Sequence, residues 1–419
     1  MTVPNDTTTT SKPAAATTLN VAIIGGGIVG LILALGLLRH GIRVTIYEQA
    51  HEFHEIGAGV AFTANAQRCM ELLDPRILAG MRRVANKNPN EYYQYVDGYH
   101  DRSGGEEELL FQIYAGDVGF DGCHRAHFLA ELVQLLPPGV VQFRKRLDSY
   151  ANDGTEGGKV QLQFCDGTTA EADLVVGCDG IKSRVRQKMF GEANPVSQAH
   201  YTHKIAYRGL IPMESAVAAL GKERAFNQCM HMGPRAHVLN FPVAMHTMMN
   251  VVAFVHDPGD WPLEGKMDAP ARRDEVVAAF ADWGPAVRAM IDLLPDMLTK
   301  WAIFDTYDHP APYYTLGRAV ATITAMEGND PDSVAAVIAV SLQAYSHARL
   351  ERSQWLVQSS RQVCEVYEWA HAQAGGDPDR CKQEIEWRAH RIWYLDIEQM
   401  LQDAKDGYCR QLKDSRGGS

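Results

Sequence analysis

Between Val21 and Glu48 the chain reads VAIIGGGIVGLILALGLLRHGIRVTIYE, two short apolar runs flanking a glycine cluster and a longer apolar stretch. Val21–Ile24 predicts a buried strand, Ile28–Arg39 a helix, Gly41 a break, and Val44–Tyr47 a second strand. Short apolar runs bounded by glycine suit buried strands, and the longer stretch between them suits a helix. A loop over His51–Gly59 leads to a strand at Gly59–Phe62 and a helix from about Asn65 to Leu73. Tyr92–Val96 and Leu109–Ile113 read as strands outside this first unit, and His127–Leu136 as an amphipathic helix closed by Pro137, Pro138 and Gly139.

Further on, Val140–Phe143, Lys159–Phe164 and Asp173–Cys178 predict strands, with Asp166-Gly167 turning between the last two. From Tyr201 to about Val255 apolar and polar residues alternate through several strand-length runs, as in a sheet covering a pocket. Glu275–Phe280 and Ala286–Leu294 return to helix, and Asp332–Val366 and Lys382–Ala404 are predominantly helical. The fold class expected is α/β, with a Rossmann-like unit interleaved with a β-sheet domain and a helical C-terminus. No internal repeat is visible.

Composition changes this picture little. A chain of 419 residues exceeds what one core usually holds, so two intertwined domains are expected. With 46% hydrophobic and 22% charged residues it has the make-up of a soluble globular protein. A net charge of −11 argues against a nucleic-acid partner. The eight cysteines are scattered without ligand spacing, so reduced thiols in a cytoplasmic protein are expected, with no metal or disulfide role. The Thr- and Ala-rich start predicts a disordered tail over residues 1–19 and makes a poor signal peptide. Val21–Leu38 is apolar enough to suggest a membrane span, but its glycine pattern favours a nucleotide-binding unit.

That pattern is Gly25-x-Gly27-x-x-Gly30, set between strand and helix, with the acid Glu48 ending the second strand. The glycines allow a tight turn and close backbone approach, and the helix start offers unpaired N–H groups to a pyrophosphate. Glu48 can accept from ribose hydroxyls. A glycine-rich turn in an ordinary βαβ unit is the alternative. A second motif, Gly177-Cys178-Asp179-Gly180, follows the apolar run Leu174–Val176 and precedes Ser183, Arg184 and Arg186. Asp179 stands where a strand's C-terminal end meets a turn, the usual place for ligand contacts in α/β sheets. Its carboxylate suits a ribityl chain's hydroxyls, or else caps the following helix.

These residues resemble the group A FAD-dependent aromatic hydroxylases, the para-hydroxybenzoate and salicylate hydroxylase kind, most of all fungal members that hydroxylate or dearomatise phenolic polyketides in secondary metabolism. The resemblance covers residues 20–320 and 340–400. It implies that Gly25, Gly27, Gly30 and Glu48 bind the ADP part of FAD, and that Asp179 and Gly180 belong to a motif serving FAD and NAD(P)H together. The segment from Ile56 to Ala61 implies a backbone contact to FAD near Ala61, and the stretch from Cys123 to His127 a flavin contact from Arg125. Trp355 and the Arg391–Trp393 segment resemble the family's C-terminal helices.

Tyr207-Arg208-Gly209 resembles the segment in which dearomatising members hold substrate as phenolate, which makes Arg208 the candidate catalytic residue. A guanidinium stays charged at working pH and pairs well with an oxyanion. A salt-bridged or surface arginine is the alternative. Phe241 stands where members often carry a tyrosine, so it is expected to shape the pocket rather than donate to substrate. His124, His127, His203 and His237 are among 16 histidines without fixed spacing, and core or surface roles are expected for them.

One departure stands out. The family's third fingerprint, a Gly-Asp pair and a glycine-rich turn opening a helix, is missing after Arg318-Ala319-Val320, where the chain runs on into Ala321-Thr322-Ile323. Family-like sequence resumes at Ala344-Tyr345. A dropped exon, a decayed or repurposed homologue, or compensation by other residues would each account for it. The loss is expected to leave the apolar faces of Val334–Leu342 and the central sheet under-packed.

The resulting division assigns FAD-binding segments to 20–85 and 119–195 and a truncated third one to 306–370. Substrate-domain strands fall in 86–118 and 196–305, and C-terminal helices in 371–419. The resemblance implies a monooxygenase using FAD, NAD(P)H and O2 on a small phenolic substrate through a flavin C4a-hydroperoxide. It needs no nucleic acid or membrane span, and a homodimer is a candidate assembly. The alternatives are an oxidase or halogenase-like relative, without the tryptophan-rich signature of the latter, and a mis-spliced or non-catalytic homologue that cannot hold FAD productively.

Overall fold

A computed structural model of the chain describes residues 19–53, 59–101, 108–152, 159–263, 265–306 and 334–417. The N-terminal tail, the first half of the segment Ile56–Ala61, and the Val320–Ala321 junction with its flanks lie outside the described residues.

Four parallel strands form the first sheet, in the order Leu174–Gly177, Asn20–Ile24, Arg43–Tyr47, Val141–Gln142. Its central strand is apolar on both faces, with Val21 and Ile23 fully buried and Ala22 and Ile24 nearly so, as parallel sheets covered on both sides require. Helix Ile28–Arg39 covers one face through Leu31, Ala34 and Leu35. On the other face, Ala22, Ile24 and Val175 pack with Leu162, Phe164, Val185 and Ile338. Ile338 is 6% exposed, so the helix Val334–Tyr367 itself packs against this face. Ile338 and Val340 are buried where the sequence reading expected an under-packed face.

The second large sheet has eight strands, with His200–Pro212 paired antiparallel to Met248–His256 on one side and Met297–Asp305 on the other. Strand periodicity divides its residues between two faces. Ile205, Tyr207, Val238, Val251 and Ala253 pack under the helices Met213–Phe226, Arg273–Ala279 and Pro285–Asp292. Lys204, Arg208, His237 and Phe254 alternate with them and face the other way. A three-stranded sheet, Gly59–Phe62, Asp121–His124 and Ala85–Lys87, lies between the two large sheets, and Gly59 touches Asn250 of the eight-stranded one.

Several elements differ from the sequence reading. Asp166-Gly167 turns into Thr169–Ala172, which pairs antiparallel with Val160–Phe164, and Leu174–Gly177 instead joins the parallel sheet. A tight turn favours the immediate antiparallel partner. The helix Met213–Phe226 interrupts the stretch read as continuous strands. Helix Pro75–Val84 was missed, although Asp74 caps it by accepting from Arg76 N at 2.9 Å and Pro75 opens it. The strand Met297–Asp305 was missed too. Among the described residues, no helix is long and apolar enough to cross a membrane.

Candidate active site

The glycine turn is built by contacts that no side chain can enter. Gly25 has φ +104°, and a Cβ there would lie 2.5 Å from the Cys178 carbonyl oxygen, because the two motifs abut where the first and last segments of the parallel sheet meet. Gly25 N donates to Tyr47 O at 2.9 Å, and Cys178 N to Ile24 O at 2.7 Å. Gly27 differs from its neighbours: a Cβ there would meet nothing within 4 Å. The backbone is thus open at the helix start, where a pyrophosphate would approach.

Glu48 closes the turn from the second strand. Its Oε2 accepts from Gly26 N at 2.6 Å and its Oε1 from Ala50 N at 2.8 Å. Both oxygens keep further lone pairs, so Glu48 shapes the turn and still has acceptor capacity. Asp179 combines the two readings made of it. Its Oδ2 accepts from Arg184 N at 2.7 Å and Val185 N at 3.1 Å, capping the helix Arg184–Phe190, while Oδ1 is buried without a hydrogen-bond partner. Gly180 follows with φ +78° and open space at its Cβ position. An orphaned buried carboxylate oxygen next to an open, glycine-lined turn fits a hydroxyl-bearing nucleotide cofactor.

The remaining site residues gather at the junction of the small sheet and the eight-stranded one. Ala61 pairs with Gly122, and a Cβ on Gly122 would stand 3.0 Å from the Phe241 ring. Phe241 is 4% exposed, presses on Gly59 as well, and meets Phe120 edge-on at 5.8 Å. Arg125 opens the helix Arg125–Gln134 directly after the strand Asp121–His124. Arg208 reaches towards it from the large sheet. Burial, and after it the charge of Arg125, hold the Arg208 guanidinium below the usual arginine value. Its Nε is buried with no hydrogen-bond partner, and its guanidinium lies 5.3 Å from the Trp301 ring centroid. A partly desolvated guanidinium with an orphaned Nε suits an anion.

Asn250 and Trp301 were missed by the sequence reading. Asn250 is 1% exposed, accepts from Gly59 N at 3.2 Å, and leaves its Nδ2 buried without a partner. Its signal was a lone amide inside the apolar run Met248–Val255. Trp301 gave no sequence signal, because its stacking on Arg208 depends on strand pairing. The histidines take core and surface places: His124 and His127 pack on each other at 4.7 Å, and His203 faces Gly259 O at 3.1 Å. All eight cysteines are free thiols.

A parallel sheet whose two glycine motifs meet beside an orphaned carboxylate oxygen fits a nucleotide cofactor, and the large sheet carries a partly desolvated arginine. The FAD binding domain family matches residues 18–206. The chain is 48% identical to the FAD-dependent monooxygenase pigN of Monascus ruber, over 94% of this chain and 98% of that protein. It is 40% identical to the salicylate hydroxylase asL1 of Sarocladium schorii, over 93% and 91% respectively. A solved salicylate hydroxylase substrate complex superposes with a TM-score of 0.76 at 28% identity, covering 93% of this chain and 98% of that one. The chain belongs to the FAD-dependent aromatic monooxygenases, and FAD is its cofactor. The alignment with the Monascus protein spans 427 positions, more than the 419 residues of the chain, while using 94% of them. That relative therefore carries residues that this chain lacks.

Proposed function

We propose that the chain is an FAD- and NAD(P)H-dependent monooxygenase that hydroxylates or dearomatises a phenolic ring of polyketide type, with O2 as co-substrate. The observation that carries this reading is Arg208: desolvated, unpartnered at Nε, and pressed by the charge of Arg125. A phenolate is the anion that such a site recruits, and pairing favours the ionised ring, which is the better nucleophile. FAD, when bound, accepts the hydride and activates O2.

The chain's own residues bind, orient and exclude water. Gly25 and Gly30 let strand and helix approach, Gly27 leaves room for the pyrophosphate, and Glu48 receives the ribose. Asp179 Oδ1 and the open turn at Gly180 serve the ribityl chain. Ala61 and Arg125 flank the flavin, and Phe241 walls the substrate side without offering a hydroxyl. The test is incubation of the purified yellow protein with NADH or NADPH and a panel of alkylated phenols. A product heavier by one oxygen atom supports the reading, and reductant consumption that no phenol stimulates overturns it.

A second reading is favoured by the residues that the Monascus relative has and this chain lacks. If they fall at Val320–Ala321, the ADP half of the site is complete and the flavin ring is held loosely. Oxygen activation then leaks to hydrogen peroxide, since solvent exclusion is part of the mechanism. The ratio of peroxide to hydroxylated product separates the two readings.

A further inference from the structure

His237, Cys364 and Glu368 converge from two distant parts of the chain. His237 comes from the strand Ala236–Val243, Cys364 lies near the end of the helix Val334–Tyr367, and Glu368 follows that helix. His237 Nδ1 lies 3.2 Å from Glu368 Oε1, Cys364 Sγ lies 3.3 Å from the same oxygen, and all three ligand atoms fall within 4.8 Å of one another. Lys204 Nζ binds the other carboxylate oxygen of Glu368. The cluster forms part of the wall of a cavity of about 870 Å3 between the eight-stranded sheet and the helix, lined on its apolar side by Phe254, Ile303 and Val363.

We propose that His237, Cys364 and Glu368 form a binding site for one thiophilic divalent cation of the zinc class, with a fourth position open to the cavity. Nitrogen, sulfur and carboxylate oxygen are the donors zinc takes, at bond lengths of about 2.0–2.3 Å. Such bonds place neighbouring donors roughly 3–4 Å apart in a tetrahedron; Glu368 Oε1 stands at 3.2 and 3.3 Å from the other two donors, and all three lie within 4.8 Å. Lys204 orients Glu368 as an outer-shell partner does, leaving Oε1 for the ion.

Binding forms three metal–ligand bonds and releases one proton, from the Cys364 thiol. Glu368 enters as carboxylate. His237 enters as neutral imidazole, the charge state that its burial favours, and its ring proton, which the metal-free contact with Glu368 calls for on Nδ1, moves to Nε2. Burial and the neighbouring Glu368 keep the thiol protonated until a metal arrives. The ion would staple the long helix to the sheet across the cavity. Sequence spacing could not show this site, because its ligands come from a strand and a helix more than a hundred residues apart. It is independent of the hydroxylase reading.

The test is anaerobic titration of the full-length protein with Co2+, read as difference spectra: ligand-field bands on the long-wavelength side of the flavin bands, and a thiolate-to-cobalt charge-transfer band in the near ultraviolet. Saturation at one Co2+ per chain, with a thiolate-to-cobalt band and displacement by Zn2+, is the expected result. Cys364→Ser should remove the thiolate band and weaken binding by more than the roughly 10- to 100-fold that loss of an outer-shell contact costs. No saturable spectrum in the parent protein, or an unchanged one in Cys364→Ser, overturns the proposal. Should Cys364→Ser not fold, the parent decides alone: Zn2+ must raise its unfolding midpoint and a chelator reverse this, and a midpoint indifferent to Zn2+ overturns the site.

Discussion

Gly30 packs so closely beneath the glycine turn that a Cβ on it would lie 2.1 Å from the Gly25 carbonyl oxygen. Gly27, between them in sequence, has open space in the same position. The first contact belongs to the fold and the second space to the ligand, so the two glycines should fail differently when substituted. Gly30→Ala should lower stability by about 1–3 kcal/mol or more, as overpacking does. Gly27→Val should lose FAD and, compared as apoproteins, keep the parent's unfolding midpoint within a few degrees. Thermal unfolding and flavin retention through gel filtration read both. A Gly27→Val protein that holds FAD like the parent would falsify the assignment.

Asp179 should separate capping from cofactor binding. In Asp179→Asn the side-chain carbonyl can still accept from Arg184 N, while the oxygen now orphaned becomes an NH2 group. Stability should fall by less than about 1 kcal/mol, while FAD affinity drops roughly 10- to 100-fold through loss of a charge-assisted hydrogen bond. Asp179→Ala should lose on both counts. Equal FAD affinity in parent and Asn variant, measured by fluorescence titration of the apoprotein, would show that Asp179 is only a cap.

Arg208 should act through its charge and its fork geometry. Arg208→Lys should retain less than about a tenth of kcat/KM, because an ammonium reproduces neither the planar pairing nor the stacking on Trp301. The pH profile gives the sign. Pairing with Arg208 lowers the apparent pKa of the bound phenol, so activity is present above that lowered value. In Arg208→Gln the ascending limb should move to higher pH, towards the pKa of the free phenol. An unmoved limb with parent-like turnover would make Arg208 structural.

If the residues that the Monascus relative has in excess fall at the Val320–Ala321 junction, inserting them tests the second reading. A version carrying the Monascus relative's residues at the Val320–Ala321 junction should bind FAD more tightly and make less peroxide per reductant consumed. Reading the transcript across those codons shows whether an exon was dropped. If the 419-residue form already couples reductant fully to product, another part of the chain does the work of the absent fingerprint.

Local chemistry made the nucleotide end legible in sequence. Gly25, Gly27, Gly30 and Glu48 lie within one βαβ unit, where the approach of Gly30 to Gly25 and the bond from Gly26 to Glu48 are local, although Gly25 also presses on the distant Cys178. The same holds for Asp179 and Gly180 at the end of a strand. Stretches such as Tyr92–Val96 and Leu109–Ile113 announced themselves as strands by their pattern, but pattern carries no information about pairing partners. Tertiary structure alone made Thr169–Ala172 the partner of Val160–Phe164, set Trp301 beside Arg208, and turned Ile338 into the central sheet's cover. It also drew Arg125 and Arg208 together and joined His237 to Cys364 and Glu368. Each of these contacts depends on sheet register and helix docking, which are settled by the burial of whole faces, and no spacing along the chain encodes which faces meet.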